Sequence, residues 1–285
     1  MACYLVTGGS GYIGSRLVTR LRQDGHRVLA LYRDATRIPS GHGIIPLGLG
    51  SVAAYREALH HHAVEGVFHL AGKACYAQSE NDIAPMIESN ITLGTHILEA
   101  MQGTDCRRFV NVATYWQHYD GPEYNPICLY AATKQAFMDI MTYYAKWCDL
   151  SCISLKFTDV YGDKDPRPKI FALIDRAAAT GKPLKITAGE QYVSFLHVED
   201  AVDALCTAMR RTQTISSQHE TYTVGTTPIM LKKAIQLYLK INPQKASLLW
   251  GEMPYRHTQI MSPWLGAPLP DWQPRFDLET GLRSL

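Results

Sequence analysis

No apolar run in this 285-residue chain approaches transmembrane length, which predicts a protein without a membrane span. Met1-Ala2-Cys3 enters an apolar strand directly, without a basic region, so a cleavable signal is not expected. Neither sign of charge dominates. Against 26 acidic residues stand 28 Lys and Arg, a formal net charge of +2, so nucleic acid is disfavoured as the main partner; a local basic pocket for a phosphorylated small molecule remains open. Cys-x-x-Cys is missing: the seven cysteines, Cys3, Cys75, Cys106, Cys128, Cys148, Cys152 and Cys206, are scattered and odd in number. They read as reduced, mostly packed thiols of a cytosolic protein. A metal motif is missing too. His60-His61-His62 cannot turn three consecutive imidazoles to one ion from a single helix, so the run reads as an exposed helix end. Internal repeats and low-complexity tracts are also lacking.

What is present begins at residue 6. Val6-Thr-Gly-Gly-Ser-Gly-Tyr-Ile-Gly-Ser15 follows the apolar run Tyr4-Leu5-Val6 and opens a segment with helical spacing at Ile13, Leu17, Val18 and Leu21. That is the strand-turn-helix context of a dinucleotide fingerprint. Gly8 lets the turn form, Gly11 lets backbone approach a pyrophosphate at the helix N-terminus beside Tyr12 and Ile13, and Gly14 lets helix pack on strand. Further short apolar runs, Val28 to Tyr32, Ile44 to Leu47, Val67 to Leu70, Phe109 to Val112 and Cys152 to Phe157, alternate with amphipathic stretches such as Val52 to Leu59, Ile83 to Met101 and Tyr130 to Trp147. The pattern predicts an α/β fold, a doubly wound parallel sheet covered on both faces.

After Tyr161-Gly162 the chain becomes charged and proline-punctuated, Asp163-Lys-Asp-Pro-Arg-Pro-Lys169, ahead of the helix-like Ile170 to Thr180. A boundary there divides a nucleotide-binding domain, 1–162, from a smaller C-terminal substrate-binding lobe, 163–285, with 195–211 expected to pack back on the first domain.

Tyr130-Ala-Ala-Thr-Lys134 places a phenol and an ammonium on one helix face. The positive charge is expected to lower the phenol pKa from its ordinary value near ~10, so that Tyr130 exchanges a proton with a substrate oxygen while hydride moves at carbon. A third hydroxyl is expected at the C-terminal edge of the sheet, and Thr114, after Phe109-Val-Asn-Val112, is the candidate.

Together these elements resemble the short-chain dehydrogenase/reductase superfamily in its extended, sugar-nucleotide-modifying branch. His69-Leu70-Ala71-Gly72 resembles the segment that passes the cofactor after the fourth strand, and Glu88 to Thr95 the branch's Asn-Val-x-Gly-Thr helix. Val160-Tyr161-Gly162 is similar to its Asn-Val-Tyr-Gly turn, Phe195 to Asp200 to its Phe-Ile-His-Val-x-Asp segment, and Trp272 to Leu282 to its C-terminal Trp-x-Pro helix. The resemblance implies that Thr114, Tyr130 and Lys134 form the catalytic set, with Lys134 also holding the nicotinamide ribose, and that Leu70, Ala71, Gly72 and Val160 line the cofactor. It further implies a nucleotide-sugar substrate, and allows a homodimer. The stretches Thr114 to Tyr119 and Gly189-Glu190-Gln191 are most similar to reductases of 4-keto-6-deoxyhexoses linked to dTDP or CDP.

The departures from the branch pattern are informative. Tyr32-Arg33 stands where NAD-using members carry an acid; a guanidinium fits a 2′-phosphate, so NADP(H) is the expected cofactor, with Arg37 assisting. Gly48 replaces the aspartate that approaches the adenine. Val193 replaces the arginine that grips the diphosphate, which leaves Lys169, Lys185 or Arg256 for that task, Arg256 first. Asp159 stands in place of an asparagine facing the sugar; with Thr114 and Trp116 it completes the expected substrate contacts. The reading is an NADPH-dependent 4-ketoreductase. Its rivals are an epimerase or dehydratase of the same branch and a non-catalytic NADP sensor.

Overall fold

The computed structural model of the chain describes residues 1–33, 43–76, 79–215 and 218–285. In chain order the strands are β1 Cys3–Thr7, β2 Arg27–Leu31, β3 Ile44–Leu47, β4 Gly66–His69, β5 Arg108–Thr114, β6 Ser151–Phe157, β7 Asp159–Tyr161, β8 Leu184–Ile186, β9 Tyr192–Val193, β10 Phe195–His197, β11 His219–Val224, β12 Ile229–Met230 and β13 Leu248–Trp250. The α-helices are α1 Tyr12–Gln23, α2 Val52–His61, α3 Glu80–Ile87, α4 Leu93–Met101, α5 Leu129–Trp147, α6 Ile170–Thr180, α7 Val198–Arg211, α8 Leu231–Ile241 and α9 Leu278–Leu282.

Seven parallel strands form the main sheet in the order β11-β6-β5-β4-β1-β2-β3. The strand order reverses between β1 and β4, and a doubly wound sheet opens its ligand cleft at that switch point. Side chains alternate along each strand. Tyr4 and Val6 of β1 face one layer, with Leu17 and Val18 of α1 and Leu205 of α7; Cys3 and Leu5 face the other, with Tyr55 of α2, Ile97 of α4 and Phe137 of α5. Burial on both faces explains why the strands read as unbroken apolar runs.

A third core holds the smaller lobe together, with Phe171 and Ile174 of α6 against Leu231, Ile235 and Tyr238 of α8. The two short pairs β13-β8 and β12-β9 complete it. The chain returns to the main body after residue 163: α7 packs on α1, β11 pairs with β6 along its full length, and Leu269 and Trp272 pack against the first core. The 162/163 division therefore does not follow the sheet, whose seventh strand comes from 219–224. The packing of 195–211 against α1 had a sequence signal, whereas β11 had none.

The stretch Ile83 to Met101, expected as one helix, is α3 and α4 joined by a π-helical turn, Glu88–Thr92. Such turns occur often at functional sites, and this one buries Asn90 completely. His60 and His61 end α2 in an exposed position as expected. Four of the seven cysteines are buried and three partly so, all reduced. No helix among the described residues is long and apolar enough to cross a membrane.

Candidate active site

The glycine turn is tight enough to exclude side chains. A Cβ on Gly14 would lie 2.1 Å from the Gly8 carbonyl oxygen, and one on Gly8, at φ +68°, would lie 2.8 Å from the Ala71 nitrogen. Gly11 donates its N–H to the Gly8 carbonyl at 2.9 Å and caps α1 without a side chain, so the first amides of the helix, at Tyr12 and Ile13, point outward. A helix N-terminus open in this way suits a pyrophosphate. The residues present thus fit a dinucleotide, as the sequence motif implies.

Thr7 stitches the two strands that flank the cleft. Its hydroxyl accepts from the backbone of Leu70 at 3.1 Å and Ala71 at 3.0 Å, and meets His69 Nδ1 at 3.0 Å. His69 is fully buried; desolvation, reinforced by the Lys134 charge, lowers its pKa to about 3, so the ring is neutral. Its neutral Nδ1 can then accept the Thr7 proton. Asn90 ties the next segment to α5, accepting from Lys73 N at 2.7 Å and donating to Thr133 Oγ1 at 2.9 Å.

Lys134 lies beneath this segment. Its ammonium would be 3.2 Å from a Cβ on Gly72, and burial lowers its pKa to about 8. One helical turn away, Tyr130 departs from expectation. Its phenol pKa is raised, first by burial and then by Cys128, with Arg167 acting weakly the other way. Desolvation sets the direction, and the opposing charge comes from Arg167 rather than from Lys134, which was expected to lower it. The phenol is therefore held protonated, the form a proton donor needs. Thr114 ends β5 nearly buried; its Oγ1 accepts from Trp116 N at 3.2 Å, leaving its own hydrogen free to be donated.

A cavity of about 330 Å³ opens on the other side of Trp116, lined by Tyr76, Trp116, Asp159, Lys169, Lys185 and Arg256 among others; Thr114, Tyr130 and Lys134 are not part of its lining. The Trp116 ring stands edge-on to Tyr130 at 6.1 Å and to Tyr76 at 6.0 Å. Arg256 caps the Tyr76 ring at 4.0 Å, a cation–π contact. An unbroken aromatic strip thus leads from a guanidinium to the Tyr130 phenol.

The expected cations are not equally available. Lys169 Nζ is 3.0 Å from Asp159 Oδ1, while Tyr115 donates to Asp159 Oδ2 at 2.6 Å. Burial disfavours the Asp159 charge, yet Lys169 and Tyr115 together bring its pKa below the ordinary carboxylate value. Asp159 is thus already engaged rather than free to meet a sugar hydroxyl. Lys185 lies at the exposed rim, 3.9 Å from Glu252. Arg33 is exposed just after β2; Arg37 lies outside the described residues.

Two contributors had no sequence signal. Tyr76 enters from an aperiodic loop and is fixed by a 2.6 Å hydrogen bond to Thr258. Arg167 bonds the Val160 carbonyl at 3.0 Å and lies 4.9 Å over the Tyr12 ring, so it joins the two segments expected to flank the cofactor. No group of three or more His, Cys, Asp or Glu among the described residues is placed to hold a metal ion.

The family model of NAD dependent epimerase/dehydratases matches residues 4–225, more than three quarters of the chain. The chain belongs to that family. A CDP-abequose synthase of Salmonella typhimurium is 26% identical, covering 99% of this chain and 96% of its own length. A UDP-glucose 4-epimerase of Mycolicibacterium smegmatis is 28% identical over 72% of this chain and 72% of its own length. Among solved structures, UDP-glucose 4-epimerase of Thermotoga maritima with UDP-glucose superposes with a TM-score of 0.84 at 22% identity, covering 99% of this chain and 96% of that one. Family and fold agree with the expectation of an extended short-chain dehydrogenase/reductase enzyme.

Proposed function

We propose that this enzyme is an NADPH-dependent 4-ketoreductase acting on a nucleotide-linked 4-keto-6-deoxysugar. The observation that carries the reading is the strip Arg256-Tyr76-Trp116-Tyr130, which joins a cation suited to a diphosphate to a protonated phenol suited to a ketone. Burying a diphosphate without such a partner is costly. The CDP-abequose synthases, similar along nearly the whole chain, favour a CDP-linked sugar over the dTDP alternative. Tyr32-Arg33 in place of an acid favours NADP.

Bound NADPH would supply the hydride. The chain's own residues do the rest. Thr114 donates a hydrogen bond to the ketone oxygen, fixing the carbonyl. Tyr130 donates the proton that converts the developing alkoxide to a hydroxyl. Buried Lys134, beside the 70–72 segment, holds the cofactor's ribose. Lys169, held by Asp159, keeps the cavity wall in place.

The epimerase similarity supports a redox-neutral alternative. Dehydration is weaker, because Tyr115-Trp116 follows Thr114 where dehydratases place an Asp-Glu pair. Incubation with NADPH and a panel of CDP- and dTDP-linked 4-keto-6-deoxyhexoses distinguishes these readings. A reductase oxidises one NADPH per sugar; an epimerase shows no net oxidation, and a sensor shows no turnover.

A further inference from the structure

The Trp116 ring separates the cavity from the Tyr130 phenol: it lines the first and stands edge-on to the second at 6.1 Å. A sugar tethered to a nucleotide in that cavity therefore reaches the phenol along this ring. Trp116 is held from both sides. Its carbonyl accepts the Ile127 N–H at 3.1 Å, and its indole N–H acts as a donor to the oxygen of Tyr115, whose ring lies edge-on to it at 6.4 Å. Tyr115 in turn donates to Asp159 Oδ2 at 2.6 Å, and Asp159 Oδ1 accepts from the Lys169 ammonium at 3.0 Å. The facing ring, Tyr76, stands nearly perpendicular to Trp116 at 6.0 Å. Its hydroxyl is committed to Thr258 Oγ1, which donates onward to the Ile127 carbonyl at 3.0 Å.

Both rings thus spend their polar atoms on the frame behind them and offer the path only carbon. A hydroxyl pressed against such a wall gives up its water and finds no partner, whereas a methyl group gains from the same burial. Two carbons flank the ketone of a 4-ketohexose. C3 ordinarily bears a hydroxyl; C5 bears C6, which is a methyl group in the 6-deoxy series and a hydroxymethyl group otherwise. A carbon wall matches the C5 edge of the 6-deoxy sugar.

We propose that Trp116 reads the substituent on C5, admitting a methyl group and turning away a hydroxymethyl group, and that Asp159 is the positioning residue that holds the indole in place through Tyr115. A carboxylate receives Tyr115 on one oxygen and Lys169 on the other, whereas an amide has a single oxygen and would set its NH₂ against one of those donors. The inference rests on the reductase reading and deepens it, from the ketone that is reduced to the group beside it.

The test assays the whole chain, Trp116→Gln and Asp159→Asn with NADPH and with pairs of nucleotide-linked 4-ketosugars that differ only in a methyl or a hydroxymethyl group at C5. A purely structural loss lowers both members of a pair together, so the ratio of their kcat/KM values isolates the wall. The parent is expected to favour the methyl member roughly 10- to 100-fold, the range over which an apolar pocket rejects an added hydroxyl. Trp116→Gln should bring the ratio below about threefold and Asp159→Asn should lower it by about threefold or more, with the NADPH Kd unchanged in both. A parent without preference, or a Trp116→Gln variant that keeps the parental ratio, overturns the assignment of Trp116. The parental ratio in Asp159→Asn overturns the positioning role. A parent that reduces neither member overturns the reductase reading itself, a result distinct from reduction without preference.

Discussion

The Arg256 guanidinium lies 4.0 Å from the centre of the Tyr76 ring, and Tyr76 is in turn fixed by a hydrogen bond to Thr258. Stacking fixes the direction of a long side chain without consuming its N–H donors, which stay available to an anion. Arg256→Ala is therefore expected to raise KM for the nucleotide-linked ketosugar at least tenfold while leaving the NADPH Kd within a factor of about two. Steady-state kinetics and a cofactor titration check this. An unchanged KM would transfer the diphosphate role to Lys169 or Lys185.

Tyr130→Phe keeps the ring against Trp116 and deletes the proton. Turnover should fall by a factor on the order of 10² to 10⁴ with cofactor affinity intact. Single-turnover rates at saturating substrate measure this without interference from product release. Parental turnover in the variant would contradict the assignment of Tyr130 as donor.

Lys134 gives a stability signature with a definite sign. Its ammonium titrates at about 8 in the folded chain against an ordinary 10.5. Between those values the unfolded chain holds a proton that the folded chain has lost, so this group makes stability rise with pH across that window, by up to roughly 3 kcal/mol. Tyrosine and cysteine titrations run the other way but are common to parent and variant. Urea unfolding at pH 8 and pH 10 should therefore show a more favourable pH trend in the parent than in Lys134→Met. Identical trends would mean that burial does not depress this lysine.

Arg33→Ala is expected to weaken NADPH roughly tenfold and NADH hardly at all, since a charge-assisted contact to a phosphate is worth about 1.5–3 kcal/mol. Calorimetric titration with 2′,5′-ADP and with 5′-AMP isolates the adenosine end. Equal losses for the two fragments would place Arg33 at the pyrophosphate instead.

Gly14→Ala sets a methyl group 2.1 Å from the Gly8 carbonyl oxygen, so the turn must shift. Overpacking of this kind costs about 1–3 kcal/mol, and here it also moves the amides that would receive a pyrophosphate. Denaturant midpoint and NADPH Kd should both deteriorate. A variant that loses neither would show that the turn is looser than its contacts imply.

How far the sequence could be read depended on how local each signal was. The glycine turn, β3 at Ile44–Leu47 and the helix presenting Tyr130 and Lys134 are set by residues a few positions apart, and they stand where the pattern placed them. The π-turn at Glu88–Thr92 adds no break in apolar content, so Ile83 to Met101 read as one helix. The pairing of β11 with β6 joins residues about seventy positions apart and leaves no periodic trace. Nor could spacing show that Lys169 would be engaged by Asp159, or that the environment of Tyr130 would raise its pKa rather than lower it. The first depends on tertiary placement of two side chains and the second on desolvation, both properties of the assembled site.

Asp200, on α7, is completely buried, and its two oxygens accept the backbone N–H groups of Arg275 at 3.0 Å and Phe276 at 3.1 Å. Five residues on, a Cβ at Gly281 would lie 2.0 Å from the Tyr161 hydroxyl, and Leu282 closes the third core. This has a consequence for the order of synthesis. Chains generally fold from the N-terminal side as they emerge, yet here a carboxylate laid down at position 200 waits for amides made some seventy-five residues later. Until that segment docks, α7 exposes an acid that only water can satisfy. Asp200 thus lacks its backbone partners until the 275–282 segment docks, and that segment acts as a latch on α7.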